Sequence, residues 1–181
     1  MSTIGSVMIE TLSQRKMAFF LERIVALDKV YIEQMGASFC TFPWNGDNYL
    51  LELEGKWDLS QFAHTEDSVV GIWVASNTVK SVCHTHRVLV SPQYQGQGMA
   101  KALFECVRKK AHQKGLLEMT IEVSRLNPVA KQFYEKLGFE LMEPPAIERY
   151  LASRGRKAKV FEGYIEERDS SQYYVCRRTV G

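Results

Sequence analysis

The sequence predicts one mixed α/β domain over residues 1–181, in which strands form a central layered sheet and helices cover both of its faces. An apolar run, Val88-Leu89-Val90, leads through a glycine-rich turn into an amphipathic helix. A second, alternating run at 117–124 leads into another helix, and further strand-like runs lie before and after these units. The chain of 181 residues is 45% hydrophobic and 24% charged, a composition typical of a soluble domain with a substantial core.

The first half of the chain supplies a long helix and most of the predicted strands. Residues 14–34 place apolar side chains at helical spacing, which predicts an amphipathic helix. Pro43 and the run Asn45-Gly46-Asp47 are breakers and predict a loop over 36–48. Strands are expected near 48–54, 59–65, 69–76 and 80–90, with a turn at Asn77-Thr78 before the last of them.

The second half alternates helices and strands. The pattern predicts a helix at 98–114, a strand at 117–124 and a helix at 128–137. The pair Pro144-Pro145 then interrupts the chain before a short helix near 146–153. Two last strands are expected near 158–167 and 172–179, joined by Asp169-Ser170-Ser171.

The turn after Val90 has the composition of a phosphate site. It reads Gln95-Gly96-Gln97-Gly98-Met99-Ala100. Glycines 96 and 98 lack a Cβ atom, so a phosphate can approach the main chain closely, and the first-turn N–H groups of the helix have no internal partner. An ordinary strand–turn–helix connection can carry the same two glycines. The residue three after Gly98 is Lys101, which excludes the dinucleotide fingerprint, and no Gly-Lys-Ser/Thr follows, which excludes a P-loop.

A second motif begins at the end of the strand at 117–124. Asn127 is a suitable N-cap, and Pro128 is a suitable first helical residue. Gly138 ends the predicted helix, and Phe139 can make the apolar contact that often follows such an end.

Together the two segments resemble the GNAT superfamily of N-acetyltransferases. Residues 95–100 match its acyl-CoA motif, Q/R-x-x-G-x-G/A, and residues 127–139 match its next motif, N-x-x-A-x-x-F/L-Y-x-x-x-G-F. The resemblance implies the GNAT fold, a central, mixed, mostly antiparallel twisted sheet with helices on both faces. In that fold the parallel strands 4 and 5, here 80–90 and 117–124, splay apart. The implied activity is acetyl-CoA-dependent N-acetyl transfer, an acyltransferase reaction.

The resemblance also implies which residues bind coenzyme A, with acetyl-CoA as the acyl donor. Main-chain groups of the first splayed strand, around Val88, Leu89 and Val90, would pair with the pantetheine arm. Asn127 would contact the pantetheine region, or act only as an N-cap. The residues implied to surround the pyrophosphate are Gln95, Gly96, Gln97, Gly98, Met99, Ala100 and Lys101.

Three side chains are candidates for catalysis. Tyr134 occupies the tyrosine position of the second motif, which implies that its phenol points at the CoA sulfur; a tyrosine packed on the helix flank is the alternative. In histone acetyltransferases of the family, a carboxylate lies eleven residues before the acyl-CoA motif, and here that position is His84. His84 is therefore the first candidate base, His86 on the same strand face is the second, and a chain of water molecules is the third. Two histidines without a third ligand do not predict a metal site, so none is expected.

The acceptor is less constrained than the donor. The loop after the first helix and the last strands build the acceptor site in this fold, and here they are rich in aromatic and acidic residues. Such walls suit a cationic amine, although core packing explains them equally well. The expected acceptor is a small-molecule amine that attacks directly in a ternary complex. The alternatives are a protein lysine or N-terminal amine, or an acyl-CoA-binding module without turnover. The aromatic residues in the loop after the first helix and in the last strands, which would form the aromatic wall of the acceptor site, are Phe39, Phe42, Trp44, Tyr49, Phe161, Tyr164, Tyr173 and Tyr174.

The composition of the chain limits which other classes of partner are expected. A net charge of +2 gives no reason to expect nucleic acid or a membrane surface, and the basic run at 154–159 most often marks a solvated face. Four scattered cysteines without C-x-x-C spacing are typical of reduced thiols in a cytoplasmic protein. No segment predicts a membrane span, and a homodimer is compatible with the sequence.

Overall fold

The computed structural model describes residues 2–4, 6–35, 43–142 and 173–181. These residues form one eight-stranded sheet with the strand order β1-β2-β3-β4-β5-β6-β8-β7. The strands are β1 (Ser2–Ile4), β2 (Val7–Thr11), β3 (Gln61–His64), β4 (Val69–Val79), β5 (Val82–Val90), β6 (Glu118–Ser124), β7 (Glu140–Met142) and β8 (Tyr173–Thr179). The helices are α1 (Gln14–Met35), α2 (Gly46–Leu50), α3 (Lys56–Leu59), α4 (Met99–Gln113) and α5 (Pro128–Lys136), and one turn of 3-10 helix spans Pro92–Tyr94.

The sheet carries an apolar core on each face, which confirms the expected layers. The core under α1 and α2 includes Met17, Ile24, Tyr49, Phe62, Ile72 and Leu89. The core under α4 and α5 includes Trp73, Leu103, Phe104, Val107, Tyr134 and Phe139. Helices on opposite faces of one sheet therefore stabilise it by burying both sides from water.

One strand pair sets the shape of the molecule. β5 and β6 are parallel and pair from Val82 with Glu118 to Thr85 with Ile121. Their pairing stops there, although β4 remains paired with β5 as far as Val90 and β8 remains paired with β6 as far as Ser124. The expected splay of the two parallel strands is therefore confirmed, and every other pairing among the described strands is antiparallel.

A β-bulge in β5 decides which side chains face α1. Val74 pairs with Arg87 and Ala75 pairs with Thr85, so His86 is an extra residue on β5. Thr85 faces the α4 side, where its hydroxyl accepts a hydrogen bond from the indole of Trp73 at 2.9 Å. Strict alternation would turn Arg87 away from His86, but the bulge leaves both on the α1 side.

The predicted strand near 48–54 is wrong, because residues 46–50 form α2. Asn45 and Asn48 make a capping box, in which each side chain accepts a hydrogen bond from the other residue's N–H at 3.0 Å. At the other end, the buried ammonium of Lys56 donates to the carbonyl oxygens of Tyr49 and Leu51 at 2.7 and 2.6 Å. These partners satisfy both helix ends and outweigh the strand preference of the apolar residues between them.

Other boundaries also differ from the prediction. The expected turn at Asn77-Thr78 lies within β4, and the chain reverses at 80–81 instead. The short strands β1, β2 and β7 and the short helix α3 were not predicted. The predicted helix at 146–153, the strand at 158–167 and the turn at Asp169-Ser170-Ser171 lie outside the described residues. Within the described part of the chain, no helix is both long enough and apolar enough to cross a bilayer.

Candidate functional site

A cavity of about 700 Å³ opens where β5 and β6 separate. Its wall contains the ends of both strands, the last turns of α1, the glycine turn and the first turns of α4 and α5. The structure thus brings both sequence motifs to one place. The predicted residues that line the cavity are His84, His86, Val88, Val90, Gln95, Gly96, Gly98, Met99, Ala100, Lys101, Asn127 and Tyr134.

Main-chain directions show which part of β5 faces the gap. The N–H of Ser91 donates to the carbonyl of Val70 at 2.7 Å, so alternate residues counted back from Ser91 direct their main-chain groups at β4. Val88 and Val90 direct theirs into the gap instead. The carbonyl of Val90 accepts a hydrogen bond from the side-chain amide of Gln95 at 3.1 Å. The groups that remain along this edge are the N–H and C=O of Val88 and the N–H of Val90.

Two predicted cofactor residues lie elsewhere. Leu89 pairs with Ile72 of β4, and its buried side chain belongs to the core under α1, so neither part of it faces the cavity. Gln97 is exposed and uses its side-chain amide to donate to the carbonyl of Gln93 at 2.6 Å. Strand alternation explains the position of Leu89, because residues on either side of a cavity-facing residue face the opposite way.

The glycine turn presents open space next to unsatisfied N–H groups. Gly96 and Gly98 have φ values of +72° and +81°, and a Cβ atom added to either would meet nothing within 4 Å. Gly98 is the N-cap of α4 and supplies no side-chain cap, and the first helical bond runs from Ala102 N–H to its carbonyl at 3.0 Å. The N–H groups of residues 99–101 therefore have no partner within the helix and lie at the positive end of its dipole. An anion placed at this turn would give these N–H groups a partner and would lie in the favourable field of the helix.

Tyr134 is a buried phenol in the cavity wall. Its ring makes edge contacts with Trp73 and Phe139, at centroid distances of 6.3 and 5.6 Å. Burial raises the pKa of Tyr134 well above its ordinary value of 10, so the hydroxyl keeps its proton at neutral pH. A protonated phenol in this position can donate a hydrogen bond into the cavity.

Asn127 has the structural role that the sequence left as its alternative. Its side-chain oxygen accepts a hydrogen bond from the N–H of Ala130 at 2.9 Å, which caps α5. It is only 4% exposed and also lines the cavity.

The two histidines lie on the α1 side of the sheet, where β5 and β6 last pair. Nδ1 of His84 lies 2.9 Å from the hydroxyl of Thr120, and Nε2 of His86 lies 2.7 Å from the hydroxyl of Ser76. Their rings meet edge to face with centroids 4.8 Å apart. Among the described residues, no group of three His, Cys, Asp or Glu side chains could hold a metal ion.

Several cavity residues escaped the sequence analysis. They are Tyr31, Gln34, Arg87 and Glu122. Tyr31 packs against the core under α1 and also lies at the cavity, where burial raises the pKa of its phenol. Glu122 follows Thr120 by two residues on β6 and so shares its face. The strand's polar alternation, combined with the parallel pairing of His84 and Thr120, could have identified it.

The predicted aromatic acceptor wall is described only in part. Trp44 lines the cavity, whereas Tyr49 is fully buried behind it and Tyr174 packs against the guanidinium of Arg125. Residues 36–42 and 143–172 lie outside the description, and with them the basic run at 154–159 and the aromatic residues Phe39, Phe42, Phe161 and Tyr164.

Comparisons with known proteins converge on one family. Residues 58–141 match the model of the acetyltransferase (GNAT) domain. The chain is 28% identical over 109 residues to the ribosomal protein bS18-alanine N-acetyltransferase of Escherichia coli K12, a match that covers 60% of this chain and 70% of the relative. A Bacillus subtilis protein assigned provisionally to the same activity is 25% identical over 150 residues, covering 80% of this chain and 93% of the relative.

Solved structures of other proteins share the fold of this chain. Ard1 from Thermoplasma volcanium superposes with a TM-score of 0.69 at 19% identity, covering 97% of this chain and 99% of that one. The PaiA N-acetyltransferase from Thermoplasma acidophilum, crystallised with coenzyme A, gives a TM-score of 0.65 at 18% identity, covering 96% and 99%.

Replacing Gly98 tests the phosphate turn. Gly98→Ala should weaken coenzyme A binding about tenfold or more, because the methyl group occupies the space above the N–H groups of α4, and Gly98→Asp should abolish binding by adding a negative charge. Isothermal calorimetry with coenzyme A measures the change. Gly115→Ala is the matched control, since Gly115 at the other end of α4 has a φ of +68° and equally open surroundings. Equal losses of affinity in both alanine variants would show that backbone strain, rather than a phosphate contact, matters.

Proposed function

Because residues 58–141 match the acetyltransferase (GNAT) domain, we propose that this chain transfers the acetyl group of acetyl-CoA to the α-amine of a protein N-terminus. The observation that carries the donor half is the uncapped start of α4 beside the gap between β5 and β6. The acceptor half rests on the relatives, of which the Escherichia coli protein is named for alanine N-acetylation of a ribosomal protein. The sequence-based preference for a small-molecule acceptor has no support in these names.

The donor's phosphates and its arm fit different parts of the cavity. The N–H groups of residues 99–101 and the ammonium of Lys101 would hold the pyrophosphate by charge and hydrogen bonding. The edge of β5 at Val88 and Val90 would pair with the amides of the pantetheine arm, as a missing strand would. When bound, acetyl-CoA supplies a thioester, and its carbonyl carbon is the atom that the amine nitrogen attacks.

Tyr134 is proposed as the proton donor to the leaving sulfur. As the nitrogen–carbon bond forms and the carbon–sulfur bond breaks, its hydroxyl would donate to the developing thiolate and then regain a proton from water. The raised pKa of Tyr134 keeps the phenol protonated at neutral pH, so its hydroxyl is available as a hydrogen-bond donor to the developing thiolate.

Side chains on the α1 side of the gap would remove the proton from the acceptor amine. An α-amine has an ordinary pKa of about 8, so it must lose a proton before it attacks. His84 is the proposed base, because an imidazole with an ordinary pKa of about 6.5 lies closer to a neutral working pH than a carboxylate does. Glu122 shares this side of the sheet and would attract the ammonium before deprotonation.

Tyr134→Phe should lower kcat about 100-fold while the Kd of acetyl-CoA stays near that of the wild type, since the change removes a proton donor and keeps the ring. The wild-type kcat should show no loss from Tyr134 ionisation up to about pH 10, because burial raises its pKa. Steady-state kinetics and calorimetry measure the two quantities. Tyr174→Phe, a hydroxyl deletion outside the cavity, is the control, and an unchanged kcat in Tyr134→Phe would remove the phenol from the chemistry.

The pH profile identifies the base. If His84 accepts the proton, log kcat/KM of the wild type falls on the acidic side of its pH profile, and in His84→Gln this acidic limb moves or disappears. Glu122→Gln should raise the KM of the amine and keep the limb in place. The assignment is overturned if Glu122→Gln abolishes the limb and His84→Gln leaves it unchanged, in which case the carboxylate is the base.

An acceptor panel tests the function as a whole. Release of free coenzyme A from acetyl-CoA should be fastest with peptides that have a free N-terminus, slower with polyamines, aminoglycosides and free amino acids, and absent with the same peptides after N-terminal blocking. Faster turnover of a small amine would favour the small-molecule reading. Tight acetyl-CoA binding without turnover of any amine would favour a binding module.

A further inference from the structure

A buried ion pair joins α1 to β5 behind the cavity wall. Asp28 of α1 is fully buried, and Arg87 of β5 is 6% exposed. The guanidinium of Arg87 donates through Nε to Oδ2 of Asp28 at 3.2 Å and through a terminal nitrogen to Oδ1. Both carboxylate oxygens therefore have partners, as a charge at this depth requires.

The same carboxylate also holds the chain that follows residue 42. Oδ2 of Asp28 accepts hydrogen bonds from the main-chain N–H of Trp44 at 2.9 Å and from the hydroxyl of Tyr49 at 2.8 Å. The Trp44 ring lies under the Arg87 guanidinium at 5.5 Å and meets the Tyr49 ring at a centroid distance of 5.1 Å. One carboxylate thus connects α1, the segment before α2, α2 itself and β5.

Two partners of Asp28, Trp44 and Arg87, line the cavity on its proposed acceptor side. Tyr31, one helical turn after Asp28 on α1, lines it as well, whereas Asp28 and Tyr49 lie behind the wall. The bulge at His86 is what turns Arg87 toward α1, so the network depends on this irregularity in β5.

We propose that Asp28 and Tyr49 are positioning residues: through Arg87 and the Trp44 main chain they fix the wall against which the acceptor amine binds. This inference rests on the proposed function for its kinetic readout. Apolar residues of similar volume often replace a buried ion pair without loss of stability. Stability alone therefore does not explain why this network is built from a carboxylate with four hydrogen bonds.

The chain offers a matched control on the same face of the sheet. Glu10 of β2 pairs with Lys16 of α1 at 2.5 Å and with Nε2 of His64 of β3 at 3.0 Å. This second cluster also ties α1 to the sheet, but none of its members lines the cavity. Glu10→Gln should therefore loosen the start of α1 and leave acceptor binding unchanged.

The experiment compares Tyr49→Phe, the double variant Asp28→Leu with Arg87→Met, and Glu10→Gln. The double variant removes both charges together, so neither is left buried and unpaired. Its amine KM should rise about tenfold or more, with the Kd of acetyl-CoA unchanged, because a displaced wall costs acceptor binding only. Tyr49→Phe should change the KM in the same direction and less. Hydrogen exchange should quicken in a peptide spanning 43–50 of the double variant, where the Trp44 amide loses its acceptor, and stay constant in α4.

Different outcomes would overturn the positioning role of Asp28 and Tyr49 and the proposed acetyl transfer. An unchanged amine KM in a folded double variant, or a similar rise in Glu10→Gln, overturns the positioning role, and so does unchanged exchange over 43–50. If the double variant does not fold, an unchanged KM in Tyr49→Phe overturns it equally. Absence of turnover in the wild type would instead refute the proposed function, and the exchange measurement would still decide whether the network holds this segment.

Discussion

The end of strand pairing at Thr85 and Ile121 is the constraint on which the site depends. Beyond it, β5 keeps β4 and β6 keeps β8, but the two inner edges face each other without hydrogen bonds between them. Main-chain N–H and C=O groups inside a protein need partners, so a gap in the middle of a sheet is stable only when polar groups fill it. A ligand with amides along its length meets that need, and the N–H groups at the start of α4 add a second, anionic requirement beside it.

The two faces of the sheet contribute different chemistry to this gap. From the α4 and α5 side come the glycine turn and Tyr134, which suit the donor's phosphates and its sulfur. From the α1 side come the imidazoles, Glu122 and the wall held by Asp28, which suit a cationic amine. Because the splay opens the sheet between them, groups from opposite faces meet at one point without any loop having to cross the sheet.

The sequence predicted the residues on the proposed donor side of the cavity better than those on the proposed acceptor side, for physical reasons. The glycine turn and the second motif are local patterns, in which a few adjacent residues specify a turn, a cap and a helix. His84 and Glu122 come together only through strand register, and Arg87 reaches Asp28 only because of a bulge, and neither feature has a local sequence signal. The strand expected near 48–54 was wrong for a related reason, since the caps of α2 come partly from Lys56, a residue beyond the helix. Leu89 was assigned to the cofactor because its neighbours were, and strand alternation places it on the other face.

Following main-chain amides during an acetyl-CoA titration tests most directly whether the gap between β5 and β6 binds the donor. In ¹⁵N-labelled protein, the amides of Val88, Val90, Met99, Ala100 and Lys101 should shift and gain protection from exchange as acetyl-CoA binds. The amide of Leu89 should keep the protection that its place in the β4 ladder already gives it. Two results would contradict the claim that the gap between β5 and β6 is the donor's binding site. In one, these five amides neither shift nor gain protection; in the other, the amide of Leu89 gains as much protection as that of Val88.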